Sequence, residues 1–324
     1  MTSVKMSVRA IILSISLCAL LSCLSDVQGQ TTQPASATTR PARGGLGRGA
    51  PGRGARGPQS MSPRDALPFT PGDYQSLKPN LPTLIIAGDS TAATGDPDHR
   101  GWAAVVVDYF DTDKINVVNL SRGGRSSRSF IHEGLWDQLL TGVKPGDWVM
   151  IQFGHNDGGD INNANGRPDL KGIGDDSQTI TRADGTTEVV HSFGWYTKKF
   201  VQDVRDKGAN PVIMAATPYD RWNAGKFVHK SGDFALEAKQ ISDLEKVPFM
   251  NHTEIIADRY DQFGETVGRE MFNTDSIHTH TLGAIVNAEC FVAGLKGLGI
   301  KTLTDALNAK GAVIAACKAE EVTP

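Results

Sequence analysis

Leu84-Ile85-Ile86-Ala87-Gly88-Asp89-Ser90-Thr91 sets four apolar residues directly before a glycine-led polar turn. Four such residues are too few for a helix and read as a short strand. The same grammar returns along the chain. Ile115–Leu120 (INVVNL) reads as a second strand and is followed by Ser121-Arg122-Gly123-Gly124-Arg125-Ser126. Trp148–Phe153 leaves the turn Pro145-Gly146-Asp147 and ends in Gly154-His155-Asn156-Asp157. Val212–Ala216 and Val247–Met250 supply a fourth and a fifth strand. Helical patterns lie between and after them, at Trp102–Phe110, Ser126–Leu140 (with breaks), Trp195–Lys207, Asp233–Glu245 and Thr281–Leu298. Short strands alternating with helices predict parallel strands joined by crossovers, hence an α/β, three-layer helix–sheet–helix sandwich.

That texture defines one domain over residues 81–300, leaving 301–324 as a C-terminal extension. The segment Gly158–Ser192 interrupts it, being polar and far longer than an ordinary connection; such insertions commonly act as functional loops or lids. Upstream, residues 30–80 are rich in Gly, Pro and Arg, as in GGLGRGAPGRGARG from Gly44 to Gly57. With no apolar period to bury, they read as a disordered linker. Lys5 and Arg9 precede an apolar run from Ala10 to Leu24, the pattern of a secretory signal peptide over residues 1–29. Leu20-Leu21-Ser22-Cys23 also resembles a lipoprotein cleavage box. An exported protein is expected, periplasmic or extracellular, attached to a membrane only if Cys23 is lipidated.

Residues 1–65 hold eight basic and two acidic residues, a balance of +6; the whole chain is −3, so the remainder carries −9. A mildly acidic body lacks the basic surface that phosphate backbones require, which argues against nucleic acid as a partner. Of four cysteines, Cys18 and Cys23 lie in the leader, and Cys290 and Cys317 alone remain for the body. A single pair does not establish a disulfide, so stability must come from a large core.

Ligands of open parallel sheets bind beyond the carboxyl ends of the strands. Ser90, Gly124 and Asn156 follow three such ends, and Asp275-Ser276-Ile277-His278 precedes the last helix. Acyl transfer needs a nucleophile, a base, a group orienting the base, and donors for the oxyanion. Ser90 can be the nucleophile, His278 the base and Asp275 its orienting acid. The backbone N–H groups of Ser90 and Gly124 and the side-chain amide of Asn156 can serve as an oxyanion hole. Each motif alone is a common turn; their joint appearance after strands is the signal. The Gly-x-Ser-x-Gly elbow of ordinary lipases is absent from the Ser90 turn, which argues against the α/β-hydrolase arrangement.

Gly88-Asp89-Ser90, Gly124, Gly154-His155-Asn156-Asp157 and Asp275-x-x-His278 resemble the four sequence blocks of the SGNH (GDSL-like) hydrolases. The resemblance is closer to rhamnogalacturonan acetylesterases. It rests on Gly123–Phe130, Gln152–Gly159, Thr217-Pro218 with Trp222, and Asp275–His280 followed by Gly283-Ala284, within residues 82–298. It implies a flavodoxin-like parallel sheet and a serine esterase that removes O-acetyl groups from plant cell-wall polysaccharide, rhamnogalacturonan or pectin first. It also implies the roles already given to Ser90, Asp275, His278, Gly124 and Asn156, with no metal and no cofactor. Tyr219-Asp220-Arg221 departs from the family pattern and leaves substrate contacts open. Acetylxylan, or a lipid or thioester handled by the same machinery, is the alternative substrate. A catalytically silent carbohydrate-binding protein is the alternative of another class.

Arg125, His155 and Trp222 are the candidate substrate contacts, with Arg122 and Arg128 beside Arg125 either bracing the loop or meeting carboxylates. His155 reads otherwise as a brace for Asn156, and the other tryptophans as core. His278-Thr279-His280 would be half of a metal site, but further ligands at metal spacing are missing. An acetylated polysaccharide is the expected partner, and the protein is expected to be a monomer.

Overall fold

The computed structural model describes residues 74, 77–229, 232–318 and 320, all within one compact unit. The predicted signal peptide with Cys23, and the linker up to residue 73, lie outside the described residues. Five parallel strands form the central sheet: β1 (Thr83–Gly88), β2 (Asn116–Asn119), β3 (Trp148–Gln152), β4 (Asn210–Met214) and β5 (Phe249–Met250). Their order is β2-β1-β3-β4-β5, the flavodoxin-like winding, which reverses direction between β1 and β3. Register runs from Leu84 opposite Trp148 to Gly88 opposite Gln152, so the turns after β1 and β3 leave the sheet side by side.

Nine helices accompany the sheet among the described residues: α1 (Ser127–His132), α2 (Leu135–Thr141), α3 (Phe193–Asp206), α4 (Gly232–Glu245), α5 (His252–Phe263), α6 (Glu265–Arg269), α7 (Thr281–Gly297), α8 (Lys301–Thr304) and α9 (Ala309–Ala312). On one face of the sheet Ile85, Ala87, Val149, Ile151 and Ile213 pack with Phe130, Trp136, Phe200 and Ile241 from α1 to α4. The alternating residues Leu84, Ile86, Met150, Val212 and Met214 are equally buried, so both faces are covered. That is why these strands read as unbroken apolar runs rather than alternating ones. Among the described residues no helix is long and apolar enough to cross a membrane.

Three local differences from the sequence reading have physical reasons. Trp102–Phe110 is not one helix but two 3-10 turns, Trp102–Ala104 and Val106–Tyr109. The run Val105-Val106-Val107 crowds a helical backbone at χ1, and Trp102 is instead fixed by stacking on Phe291 at 4.7 Å. Within Gly158–Ser192 the chain forms a hairpin, Ser177–Thr181 antiparallel to Thr187–His191, with a small core of Ile161, Ile180 and Val190. Helix α5 adds an element that the sequence reading leaves out; Asn251 caps it by accepting from Glu254 N at 3.3 Å.

Residues 301–312 pack on the body, with Leu307 bridged to Phe110 and Asn308 N donating to Tyr109 O at 3.0 Å. Cys290 and Cys317 are free thiols.

Candidate active site

Beyond the carboxyl end of β1 the chain turns at Asp89, whose Oδ1 accepts from the Thr91 N–H and hydroxyl, both at 2.8 Å. Ala92 and Ala93 donate back to Asp89 O, so Ser90 sits on a tight, rigid turn. Asn119, at the end of β2, holds this turn from the side by donating to Ala92 O at 2.8 Å.

His278 arrives from the opposite end of the domain. Its Nε2 lies 2.7 Å from Ser90 Oγ, and its Nδ1 lies 2.5 Å from Asp275 Oδ2. The other carboxylate oxygen, Oδ1, accepts from the backbone N–H groups of Ile277 at 2.9 Å and His278 at 3.0 Å. Burial by itself raises the Asp275 pKa; the His278 ring and these two N–H groups outweigh it and hold the carboxyl below its usual value. With Asp275 ionised and accepting a hydrogen bond from Nδ1–H, Nε2 is left as a lone-pair acceptor facing the serine hydroxyl.

The Asp275–His278 loop is held at both ends. Asn273 N donates to His278 O at 2.7 Å, and Thr279 exchanges hydrogen bonds with the Arg100 backbone. Ser276 adopts φ +62°, and its carbonyl accepts from Asp220 N at 3.0 Å. Asp220 is itself pinned by Trp222 Nε1 at 2.8 Å and by Arg269 at 3.2 Å. The segment that departs from the family pattern therefore supports the loop carrying His278. Nothing local to Asp220 in the sequence signals its contact with residue 276.

The loops after β2 and β3 are stitched to each other. Gly124 takes φ +72°, a left-handed conformation that side chains rarely adopt. Asn156 Nδ2 donates one hydrogen to Arg125 O at 3.1 Å, leaving its second amide hydrogen for another acceptor. Asp157, wholly buried, accepts from Ser127 N through Oδ1 and from Gly154 N through Oδ2, both at 2.8 Å. One carboxyl thus ties the Gly124 loop to the Asn156 loop. Burial pushes its pKa up to about 6. Buried Asp169, which donates its backbone N–H to Asp157 O, is raised well above its normal value by burial first and then by Asp157. Burial thus favours the protonated form of both carboxyls.

The candidate substrate contacts are mostly engaged with protein. Arg125 Nε and Nη2 bind Glu133 Oε2 at 2.9 and 2.8 Å, and Nη1 donates to Gly123 O. Arg128 is buried and pairs with Glu188 of the hairpin through Nε at 2.9 Å and Nη2 at 2.7 Å. Arg122 is buried and donates to Ser121 O at 3.2 Å. Trp222 packs its ring on Gly268 and edge-on to Phe227, 5.0 Å away. His155 is half-buried, with Nε2 3.2 Å from Thr217 Oγ1 and its ring edge-on to Tyr219 at 5.0 Å. Burial lowers its pKa, so the neutral ring is favoured. Among the described residues no group of three or more His, Cys, Asp or Glu side chains is placed to hold a metal ion.

Asp275, the His278 ring and the Ser90 hydroxyl therefore meet in one hydrogen-bonded line. The arrangement can carry acyl transfer. The sequence profile of the GDSL-like lipase/acylhydrolase family matches residues 86–284. The chain belongs to this family. Like other GDSL-like acylhydrolases it is a carboxylic ester hydrolase of the SGNH type. It is 32% identical to a rhamnogalacturonan acetylesterase of Emericella nidulans over 70% of this chain and 89% of the relative. It is 26% identical to a probable rhamnogalacturonan acetylesterase of Bacillus subtilis over 67% of this chain and 94% of the relative. A Bacillus subtilis protein of known crystal structure shares the fold with a TM-score of 0.57 at 18% identity, over 69% of this chain and 58% of that one.

Proposed function

We propose that this GDSL-like hydrolase removes O-acetyl groups from plant cell-wall polysaccharide, with acetylated rhamnogalacturonan as its substrate, and that it works outside the cytoplasm after export. The observation that carries the chemistry is the unbroken line from Asp275 Oδ2 through the His278 ring to Ser90 Oγ. The choice of polymer is supported by the two relatives named as rhamnogalacturonan acetylesterases, which match this chain over most of their length.

Ser90 Oγ attacks the acetyl carbonyl carbon while His278 Nε2 takes the hydroxyl proton. The carbonyl π bond opens to an oxyanion, which the backbone N–H groups of Ser90 and Gly124 and the free amide hydrogen of Asn156 stabilise. His278 then gives its proton to the departing sugar oxygen, leaving an acetylated Ser90. A water loses its proton to the same Nε2, attacks the acetyl carbon, and acetate leaves as the proton returns to Ser90. Asp275 stays ionised throughout and supports the transient imidazolium.

Acetate release from acetylated rhamnogalacturonan, homogalacturonan and xylan, by the wild type and Ser90→Ala, tests this reading. Release is expected from the pectic polymers with the wild type and from none with the variant. Preference for xylan would keep the esterase and discard the pectic substrate.

A further inference from the structure

We propose that Arg167, from the insertion after β3, reads a carboxylate of the substrate beside the acetyl group being cleaved. Its guanidinium lies directly over Gly124: a β-carbon added there would fall 2.7 Å from Nη2 and 3.0 Å from Cζ. The backbone that brings it there is firmly held. Ser126 Oγ donates to Arg167 O at 2.6 Å, Arg167 N donates to Asn165 Oδ1 at 3.0 Å, and Arg128 Nη1 donates to Pro168 O at 2.5 Å. Arg167 is thus a half-buried cation on a braced loop, placed over a glycine of the proposed oxyanion hole.

Its neighbours differ from it in one respect. Arg125 is paired with Glu133, and Arg128 and Arg182 share the carboxylate of Glu188. Among the described residues no hydrogen bond or ion pair engages the Arg167 guanidinium. Burial first, and then the positive charge of Arg125, lowers its pKa, and Glu133 offsets this only in part. The half-buried fork keeps its N–H donors open for an anion, and a planar carboxylate is the group that matches the fork in two parallel bonds. A uronic acid in the acetylated chain supplies such a carboxylate close to its ester. This step rests on the proposed pectic substrate and adds the residue that would select it.

The test compares kcat/KM on acetylated oligogalacturonides with free carboxylates against the same oligomers methyl-esterified. The wild type, Arg167→Gln and Arg167→Lys are each measured, with thermal unfolding to check the fold. The wild type is expected to favour the free acid by about 10–100-fold, the worth of a charge-assisted pair at a partly buried site. Arg167→Gln should erase that preference mainly through KM, and Arg167→Lys should keep part of it. A second readout needs no pectic turnover: unacetylated oligogalacturonide should inhibit p-nitrophenyl acetate hydrolysis at least about tenfold more weakly in the Gln variant than in the wild type.

Equal losses on both forms, with inhibition unchanged, would make Arg167 a scaffold or oxyanion residue and overturn the inference. A wild type that prefers xylan and is not inhibited by oligogalacturonide would overturn the pectic reading as well. A wild type that prefers pectic substrate while Arg167→Gln leaves both ratios intact would overturn this inference alone.

Discussion

Replacing Asp275 by asparagine isolates what the carboxylate does. In the native loop Oδ1 accepts two backbone N–H groups, and Oδ2 faces His278 Nδ1. An asparagine at this position must place its one carbonyl oxygen and its NH2 group on those two sites. With the oxygen toward the two N–H groups, the NH2 group faces His278 Nδ1 and donates to it. The imidazole proton then moves to Nε2, where it points at Ser90 Oγ and cannot accept the hydroxyl proton. Flipping the amide restores the productive tautomer but sets its NH2 group against two backbone donors. Two buried donors left unsatisfied cost about 2–6 kcal/mol together, so the productive form is a small minority. Adding the lost charge opposite the imidazolium, turnover should fall roughly 10³–10⁴-fold. Hydrolysis of p-nitrophenyl acetate by folded Asp275→Asn, with its melting temperature checked against wild type, measures this. A variant within tenfold of wild-type kcat would refute the tautomer argument and with it the proposed role of Asp275.

Other outcomes follow from the same geometry. Ser90→Ala and His278→Ala should each abolish turnover, and the double variant should be little worse than either, because the members act as a unit. Asn156→Ala should lower kcat by ~10²–10³-fold as one oxyanion donor is lost; an effect on KM alone would make it a binding residue. Glu188→Ala leaves buried Arg128 without its carboxylate and should destabilise the fold by about 3–5 kcal/mol in urea unfolding; a loss below 1 kcal/mol would show the hairpin to be loosely held. The Asp157–Asp169 pair, both raised by burial, releases its protons at higher pH when folded than in the unfolded chain. Its stabilising effect is therefore present at low pH and declines as pH rises from about 4 through about 6. Asp169→Asn should lose less melting temperature than wild type between pH 4 and 8, and identical slopes would show that the pair is not coupled to folding.

The sheet was legible because a strand buried on both faces has few polar positions to disguise it, as in Leu84–Ala87 and Val149–Ile151. Ser90, Gly124 and Asn156 were legible because each follows a strand end and strand ends of a parallel sheet share one rim, while Asp275 and His278 were legible from their Asp-x-x-His spacing before the last long helix. The hairpin inside Gly158–Ser192 escaped notice because of its ten strand residues only Ile180, Glu188 and Val190 are buried. Its Arg182-Ala183-Asp184-Gly185 turn was the available signal. Helix α5 was also readable, from Asn251 as cap and Ile255, Ile256 and Tyr260 on its inner side. Arg167 was not: its local sequence is a plain polar loop, and only the bracing by Ser126 and Arg128 carries it to Gly124. Of the two readings given to Arg122, Arg125 and Arg128, bracing the loop or meeting carboxylates, the sequence could not decide, because Glu133 and Glu188, which pair with Arg125 and Arg128, are brought close only by the fold.

The hydrogen bond between Ser90 and His278 joins residues 188 positions apart in the chain. A chain emerging from the ribosome therefore exposes its serine long before the histidine that would activate it exists. The Trp102–Phe291 stack places the same demand on the fold, since the 3-10 turns near the beginning of the domain wait for α7 near its end. Contacts of such long range are slow to form, because the entropy of closing the loop comes before the gain. On the proposed mechanism the nascent or partly assembled protein should be inert, with hydrolysis switching on only once the last long helix is in place. Activity itself becomes a stringent clock for folding: in a refolding experiment it should appear no earlier than the burial of Trp102, whichever strands have already paired.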